Sequence, residues 1–189
     1  MKKSIGTRTI AYPTPVFVIG TYDKEGKPNA MTVSWGGISC SSPPCISISI
    51  KEAAYTYKNI TEKKAFTVNV PSEKYVKEVD YLGIASGKNE DKLHKTGLTP
   101  VKSELVDAPY IEEFPLILEC KLINTTKLGL HTQFTGEILD IKVDTKLFNN
   151  GRPDVKEIKP FLHDPSSVSY YGIDKQIGKV FSIGRELMR

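Results

Sequence analysis

A β-hairpin pattern near the N-terminus sets the first limit on the fold. Residues 15–22 are rich in β-branched and aromatic side chains, and residues 28–35 form a second run of the same kind. Asp23 and Gly26 lie between them and supply the positive-φ positions that a tight reversal needs. We therefore expect two antiparallel strands here, within a β-rich domain.

Further strands are predicted along much of the chain. Residues 46–50 alternate isoleucine and serine, which is typical of a strand with one buried face, so the serines should face water or a ligand. Residues 65–70 are a predicted strand, and residues 115–126 and 131–144 are predicted to form a second hairpin. Its register should bury one row of leucines: Leu116, Leu118 and Leu122.

Short helices are expected between these strands. Residues 52–64 carry Tyr57, Ile60 and Lys63 at helical spacing, and Ser72 is expected to cap a second helix. One more helical turn is expected at residues 91–94. Residues 148–189 give irregular signals, with a turn at 149–151, and we expect this tail to pack on the rest of the domain or on a partner subunit.

Length and composition fit one globular domain. The 189 residues are enough for one core but few for two, so we assign residues 1–189 to a single domain. Five or six strands with two short helices predict a mainly β fold, an antiparallel barrel. We find no export signal and no apolar run of about 18 residues, so we expect a cytoplasmic protein without membrane attachment.

Charge and cysteine content restrict the partners. The net charge of +4 comes from lysines dispersed among acidic residues, without the basic run that binds nucleic acid. This mild positive excess suits a small anionic ligand. Cys40, Cys45 and Cys120 are an odd number in a chain without an export signal, so we expect free thiols.

Several familiar kinds of site lack support in the sequence. Residues 83–89 resemble a phosphate loop but have three rather than four residues between the glycines, and Asn89 replaces the Ser or Thr that binds magnesium. A Rossmann glycine motif is missing. The cysteines and histidines are too scattered for a metal site, and no serine lies in a nucleophile-elbow context.

Polar residues nevertheless concentrate on two successive segments. The strand from 29 to 35 carries small and hydroxylated residues and ends at the only tryptophan, so it could line an aromatic ring system. Ser49, Lys51 and Thr56 follow, the last at a helix start, and such groups favour a phosphate dianion. Ordinary explanations compete, because strand-end tryptophans usually pack in cores and strand hydroxyls are usually solvated.

Seven segments in order along the chain carry a likeness to a known family. They are residues 14–21, 26–35, 42–48, 51–57, 66–70, 131–138 and 170–185. Together they resemble the flavin reductase-like family, the FMN-binding split barrels, and residues 35–38, 81–87 and 130–134 are similar to its flavoredoxins. The resemblance implies a mainly β fold with short helices, a Greek-key antiparallel split barrel. It also implies a homodimer that binds one FMN per subunit, usually at the subunit interface.

The same resemblance implies a set of FMN contacts. The ring and ribityl chain would be lined by Asn29, Met31, Thr32, Ser34 and Trp35. The phosphate end would be held by Ser49, Lys51, Thr56 and Lys92. His131 would hydrogen-bond to the flavin or the incoming donor and shift the flavin potential. Ordinary alternatives are a solvated surface lysine for Lys92 and a turn-closing structural histidine for His131. No residue is assigned to catalysis or to a metal.

Three functions are compatible with this resemblance. The protein is either an oxidoreductase that takes electrons from NAD(P)H, or a carrier whose FMN passes electrons between redox protein partners. The alternative is a non-catalytic FMN-binding or flavin-storage protein. We favour a redox role, but the sequence contains no separate nicotinamide motif that would distinguish enzyme from carrier or NADH from NADPH.

Overall fold

The computed structural model describes residues 1–188, and strands dominate it. The strands are β1 (Thr14–Pro15), β2 (Phe17–Tyr22), β3 (Pro28–Val33), β4 (Gly36–Ser41), β5 (Pro44–Lys51), β6 (Ala65–Val70), β7 (Pro100–Lys102), β8 (Pro109–Ile111), β9 (Leu116–Leu128), β10 (His131–Val143), β11 (Phe148–Asn149), β12 (Arg152–Pro153), β13 (Phe161–Asp164) and β14 (Ser169–Gly172). The helices are α1 (Tyr55–Lys63), α2 (Val76–Ile84), α3 (Lys92–Thr96) and α4 (Val155–Ile158), with 3₁₀ turns at Glu73–Tyr75, Thr145–Leu147 and Ile183–Met188. The fold is mainly β with short helices, as predicted. Among these helices none is long and apolar enough to cross a membrane.

The main sheet has seven antiparallel strands in the order β3-β2-β6-β9-β10-β5-β4. β3 and β4 lie at opposite edges, although only Ser34 and Trp35 connect them. Because so short a link reaches only about 10 Å, the sheet must curl until its two edges approach each other. The backbone N–H of Ser49 donates to the Trp35 carbonyl at 2.8 Å and fixes this link to β5.

The predicted barrel is therefore split rather than closed. In the part of the chain that the structure describes, β3 and β4 are not hydrogen-bonded to each other. The physical reason is the course of the link: at Trp35 the backbone bonds to β5 instead of continuing the ladder of β3. The split leaves the end of β3 accessible from outside the sheet, which is where the candidate site lies.

The N-terminal hairpin is confirmed. β2 and β3 pair with Tyr22 opposite Pro28. Gly26 alone supplies a positive φ in the turn, at 84°. Asp23 acts differently from the expectation: its carboxylate accepts hydrogen bonds from the backbone N–H groups of Glu25, at 2.9 Å, and Lys27, at 2.8 Å. A side-chain acceptor thus stabilises the reversal.

Apolar side chains pack on both faces of the curled sheet. One cluster includes Ile19, Ile48, Phe66 and Phe134, and α1 contributes Ile60 to it. The other cluster includes Val18, Val79, Leu82, Leu93 and Phe161, so α2 and α3 cover the opposite face. Val18 and Ile19 are neighbours on β2 and point to opposite faces of the sheet, so this strand contributes to both clusters. The predicted leucine row is confirmed, with Leu118 buried and Leu116 and Leu122 partly buried against the first cluster.

Two helix predictions require correction. α1 begins at Tyr55, three residues after the expected start at residue 52. Ser72 precedes a 3₁₀ turn rather than α2, and its side chain makes no capping hydrogen bond. The predicted turn near residue 91 is confirmed by α3, where the Asp91 carboxylate accepts from the backbone N–H of His94 at 3.1 Å.

The C-terminal tail is more ordered than predicted. β13 pairs with β1 on one side and with β14 on the other. Its partner β1 lies far away in the sequence, so no local sequence pattern predicts this pairing. The expected turn at residues 149–151 is confirmed, because β11 and β12 pair around Asn150 and Gly151, which have φ values of 51° and 73°.

Candidate functional site

A groove lies where β3, the end of β5, the start of α1 and the loop after α2 meet. It consists of two cavities of about 300 and 280 Å³, which share Met31, Lys51 and Ala54 as lining residues. All ten predicted site residues line one or both of them: Asn29, Met31, Thr32, Ser34, Trp35, Ser49, Lys51, Thr56, Lys92 and His131. The fold therefore brings residues from five elements to one surface: β3 with the link that follows it, β5, α1, α3 and β10.

Lys92 is a buried cation at one end of this groove. It stands at the first position of α3 and is 4% exposed, so its explanation as a solvated loop residue is wrong. Its Nζ donates to the Leu82 carbonyl at 3.0 Å, and the described part of the chain gives it no carboxylate partner. Burial lowers the pKa of Lys92 to about 8. One ammonium carries three donors, so two remain for a ligand.

Thr56 and the N-terminus of α1 lie on the same part of the groove. Thr56 is 1% exposed, and its Oγ1 accepts from Asn29 Nδ2 at 2.9 Å. The hydroxyl hydrogen of Thr56 is therefore free to donate to a ligand. No side chain caps the N-terminus of α1, so its first amides also retain donor capacity. A lysine, a hydroxyl and helix amides together form a site suited to an anion.

The other end of the groove combines aromatic and polar walls. Trp35 is 37% exposed, so its explanation as a core residue is wrong. Its ring stands edge-on to His163, with centroids 6.5 Å apart. Thr32 lines the groove, but its hydroxyl donates to the Val79 carbonyl, so Thr32 is not available as a hydrogen-bond donor to a ligand.

The two serines of β5 differ in burial, although the alternating pattern predicted the same surroundings for both. Ser47 is 8% exposed, shares a 2.9 Å hydrogen bond with the Thr135 hydroxyl and lines a further cavity beside Ser49, so it faces polar groups but lies outside the groove. Ser49 is half-buried and lines the groove. His131 faces Lys51 across the β5–β10 pairing, which brings both residues to the same end of the sheet.

A larger cavity, of about 360 Å³, lies away from this groove. Its lining includes five carboxylates, those of Glu73, Glu112, Glu113, Asp144 and Glu157. Two lysines, Lys74 and Lys159, offset only part of that charge. Because clustered carboxylates repel a phosphate dianion, the smaller groove is the better anion site.

Comparison with known proteins identifies the family. The model of the family described as "Flavin reductase like domain" matches residues 8–168. The chain belongs to this family. Membership confirms the resemblance found in the sequence and, with it, the flavin cofactor FMN. The assignment of the whole chain to one domain stays a prediction.

Two solved structures and one further protein illustrate what this chain is similar to. The structure of flavoredoxin from Desulfovibrio vulgaris (Miyazaki F) has a TM-score of 0.94 and 51% identity, covering 97% of this chain and 100% of that one. Flavoredoxin from Methanosarcina acetivorans has a TM-score of 0.92 and 31% identity, with 100% of both chains covered. A protein of Archaeoglobus fulgidus, described as uncharacterized, is 37% identical over 129 residues, which are 68% of this chain and 72% of that protein.

Two parts of the groove of this flavin reductase-like chain are not indicated by its sequence patterns. His163 lines it from β13, where Thr14 of β1 is its register partner. Residues 83–87 line the end near Lys92, and a Cβ on Gly87 would lie 2.0 Å from Asn29 Oδ1. The small residues of this loop resemble both a phosphate loop and the flavoredoxins, and they also fit a close approach of the backbone to a neighbouring side chain.

The residues present fit FMN. The phosphate end offers a buried ammonium that meets no carboxylate in the described part of the chain, a free hydroxyl hydrogen and uncapped helix amides. The opposite end offers the half-open face of Trp35 and the thioether of Met31, which suit a flat ring. The buried, unpaired charge of Lys92 is otherwise unfavourable, so a phosphate would relieve a cost that the free protein carries.

Proposed function

We propose that this chain is a flavoprotein oxidoreductase that holds FMN in the groove and passes electrons through it. The observation that carries the proposal is the buried Lys92 ammonium, which has no acidic partner among the side chains that the structure describes and lies next to Thr56 and the uncapped start of α1. Buried charges in proteins are normally paired, so such a group is the expected partner of a phosphate.

Binding and orientation are the work of the protein residues. Lys92 would neutralise the phosphate, and Thr56 would donate its hydroxyl hydrogen to it, held in position by the Asn29 amide. Ser49 and Lys51, at the end of β5, complete the polar wall between the two cavities. Two charge-assisted contacts of this kind give affinity and fix the direction in which the ligand enters.

Ring recognition would fall to Met31, Ser34 and Trp35, which exclude water from one side of the groove. His131 is half-buried at the start of β10 and would donate a hydrogen bond to the ligand or to an incoming donor. When bound, FMN supplies transfer of one or two electrons, which no amino-acid side chain here can supply. A hydrogen-bond donor near the ring favours the reduced form and so raises the potential.

Two electron routes remain as proposals. In the first, the protein carries electrons between redox protein partners, and the similarity to two flavoredoxins favours this route. In the second, NAD(P)H reduces the flavin directly. The half-open space around Trp35 would admit either a nicotinamide or the edge of a partner protein.

We also propose a homodimer in which the second subunit helps to cover the groove. Exposed apolar side chains support it: Ile123, Leu128 and Leu130, on the projecting end of the β9–β10 hairpin, are 49%, 53% and 70% exposed. Exposed apolar side chains at one end of a hairpin often mark an interface between subunits. Dimerisation and FMN binding should then stabilise each other.

The purified protein tests the proposal directly. Absorbance between about 370 and 450 nm should reveal bound FMN, because the oxidised flavin absorbs there. An electron carrier should retain FMN during turnover and leave NADH unconsumed, whereas a reductase should oxidise NADH. A storage protein would bind FMN without accelerating either reaction. A folded preparation that stays colourless and has no affinity for added FMN would refute the proposal.

Two substitutions test the site map. Trp35→Ala and Thr56→Ala should each weaken FMN binding by about 1–3 kcal/mol if both residues contact it. Thr61→Ala is the matched control, because Thr61 is exposed on the same helix as Thr56 and bonds only to the Tyr57 carbonyl. Wild-type FMN affinity in both test variants would contradict the assigned contacts while leaving FMN binding itself intact.

A further inference from the structure

Cys40 and Cys45 lie directly opposite each other on the β4–β5 hairpin. Ile38 faces Ile46, so a regular ladder would place Cys40 opposite Pro44. A bulge between Ile38 and Cys40 shifts the register by one residue and brings the two cysteines together. Directly opposed residues of an antiparallel pair have their side chains on the same face of the sheet.

The spacing of such a pair matches that of a disulfide. Opposed residues in antiparallel strands have Cα atoms about 4.5–5.5 Å apart. A disulfide accepts Cα separations of about 4.4–6.8 Å. Both thiols also donate to carbonyls of the connecting turn, Cys40 to Ser42 at 3.4 Å and Cys45 to Pro43 at 3.3 Å. The two sulfur atoms therefore lie on the same side of one short turn.

The third cysteine cannot compete for this bond. Cys120 lies on β9, and β10 separates β9 from β5. Two strand spacings amount to about 9–10 Å, which exceeds the limit of about 7 Å between bridged Cα atoms. Cys120 is also fully buried, and burial raises the pKa of its thiol, so it is unreactive.

We infer that Cys40 and Cys45 are a reversible dithiol–disulfide pair that exchanges with small thiols and disulfides. Cys40 is exposed and Cys45 is buried. Cys40 therefore reacts first with the small disulfide, and Cys45 reacts second. The site is separate from the FMN groove, and the inference does not depend on FMN binding.

The two protein thiols and one small disulfide are the only reactants that the exchange needs. The Cys40 thiol loses its proton and attacks one sulfur of a small disulfide, R–S–S–R. The bond between the two R–S groups breaks, a Cys40–S–S–R bond forms, and the released R–S⁻ takes up the proton. The Cys45 sulfur then attacks the Cys40 sulfur and releases the second R–SH. Two protein thiols are oxidised to one disulfide, and one R–S–S–R is reduced to two R–SH.

The environment of Cys45 predicts that its attack on the mixed disulfide is slower than the first attack by Cys40. Burial, and then the adjoining Cys40 thiol, raise the pKa of the Cys45 thiol. The thiolate fraction of Cys45 is therefore small, whereas the exposed Cys40 is open to reagents from solvent. The mixed disulfide on Cys40 should appear first and then convert into the internal bond.

Mass spectrometry of the full-length protein tests this inference. The protein is equilibrated with mixtures of glutathione and glutathione disulfide, quenched in acid, alkylated and digested with trypsin. Cys40 and Cys45 fall in one tryptic peptide, because no lysine or arginine lies between Lys27 and Lys51. We expect this peptide to become two hydrogens lighter and to resist alkylation as the disulfide fraction rises. Dithiothreitol should reverse both changes.

Single-cysteine variants provide the controls. Cys120→Ala should form the bond as wild type does, and Cys40→Ser, changed at an exposed position, should form none. Cys45→Ala should accumulate the glutathione adduct on Cys40. The inference is overturned if the wild-type peptide keeps both thiols at every glutathione ratio. It is equally overturned if glutathione stays on Cys40 while Cys45 remains open to alkylation.

Discussion

At the scale of single residues, Lys92 is the most informative group in the protein. Lys92 is 4% exposed, and among the described residues its ammonium donates to the Leu82 carbonyl alone. A buried ammonium without a counter-charge destabilises the free protein, and burial accordingly lowers the pKa of Lys92 to about 8. An anionic ligand supplies the missing partner.

Removing this charge should affect binding and stability in opposite directions. Lys92→Met should weaken FMN binding by about 1.5–3 kcal/mol, as expected for a lost charge-assisted hydrogen bond. The free variant should be at least as stable as wild type at pH 7, because the buried charge is gone. Fluorescence titration with FMN and urea unfolding measure the two effects. Lys88→Met, changed at an exposed lysine before α3, is the control and should alter neither.

The lowered pKa also predicts a pH dependence. Below pH 8 the free protein already carries the Lys92 ammonium, so FMN binding needs no proton. Above pH 8 the neutral amine predominates, and binding a phosphate must restore the proton. FMN affinity should therefore fall as pH rises above about 8, by at most about tenfold per pH unit. Titrations between about pH 7 and 10 should show this fall in wild type and lose it in Lys92→Met.

Stability of the free protein should follow the opposite trend. The unfolded chain keeps the ordinary lysine pKa of 10.5, whereas the folded chain has a value of about 8. Between these two values the unfolded state binds more protons, so folding becomes more favourable as pH rises. The destabilisation caused by Lys92 is fully present below pH 8. A flat stability difference between wild type and Lys92→Met across this range would contradict the assignment.

At the scale of elements, the phosphate end depends on the contact of three segments. β3 supplies Asn29, α1 supplies Thr56, and the loop after α2 supplies Gly87. The Asn29 side chain bonds to Thr56 and leaves no room for a Cβ at Gly87, where the nearest oxygen would lie 2.0 Å away. The glycine is required by this close approach and not by its φ.

Gly87→Ala should therefore disturb both the loop and the site. We expect a loss of about 1–3 kcal/mol in stability, typical of overpacking, together with weaker FMN binding because Asn29 must move. Urea unfolding and FMN titration measure the two losses. Gly184→Ala is the matched control, since a Cβ there meets no atom within 4 Å and no positive φ is recorded. Wild-type behaviour of Gly87→Ala would contradict the tight contact.

At the scale of the whole molecule, the curled sheet creates the groove and the β9–β10 hairpin projects from it. Within the described chain β6 pairs with β9 only from Leu116 to Lys121, so the half of β9 nearer the tip has no strand partner on that side, and the tip that joins β9 to β10 carries Leu128 and Leu130. A projecting apolar tip of this kind is unfavourable in water. A second subunit would cover it and would also restrict access to the groove.

Leu130→Glu should shift the protein from dimer toward monomer, because a carboxylate would be buried in the proposed interface. FMN affinity should fall with it. Sedimentation velocity, with and without FMN, measures both the assembly state and its linkage to the ligand. Leu105→Glu, at a 53% exposed leucine between β7 and β8, should remain like wild type. A wild type that is monomeric at all concentrations would refute the dimer.

The sequence determined much of the local structure. The turn at Gly26, the strand at residues 65–70 and the long second hairpin follow from alternation and turn residues, which act over a few neighbours. The ten predicted site residues come from a resemblance in their order along the chain, and all ten line the groove, whereas their contact with FMN stays a prediction. Local patterns alone left the ligand open among several possibilities.

Tertiary structure decided the rest. The burial of Lys92, the placement of His163 by β1 and the engagement of the Thr32 hydroxyl by α2 depend on contacts between distant segments. The bulge that brings Cys40 opposite Cys45 has no local signature either. Alternation tells which side of a strand is apolar, but the partner that meets a side chain is fixed only when the sheet curls and its helices pack.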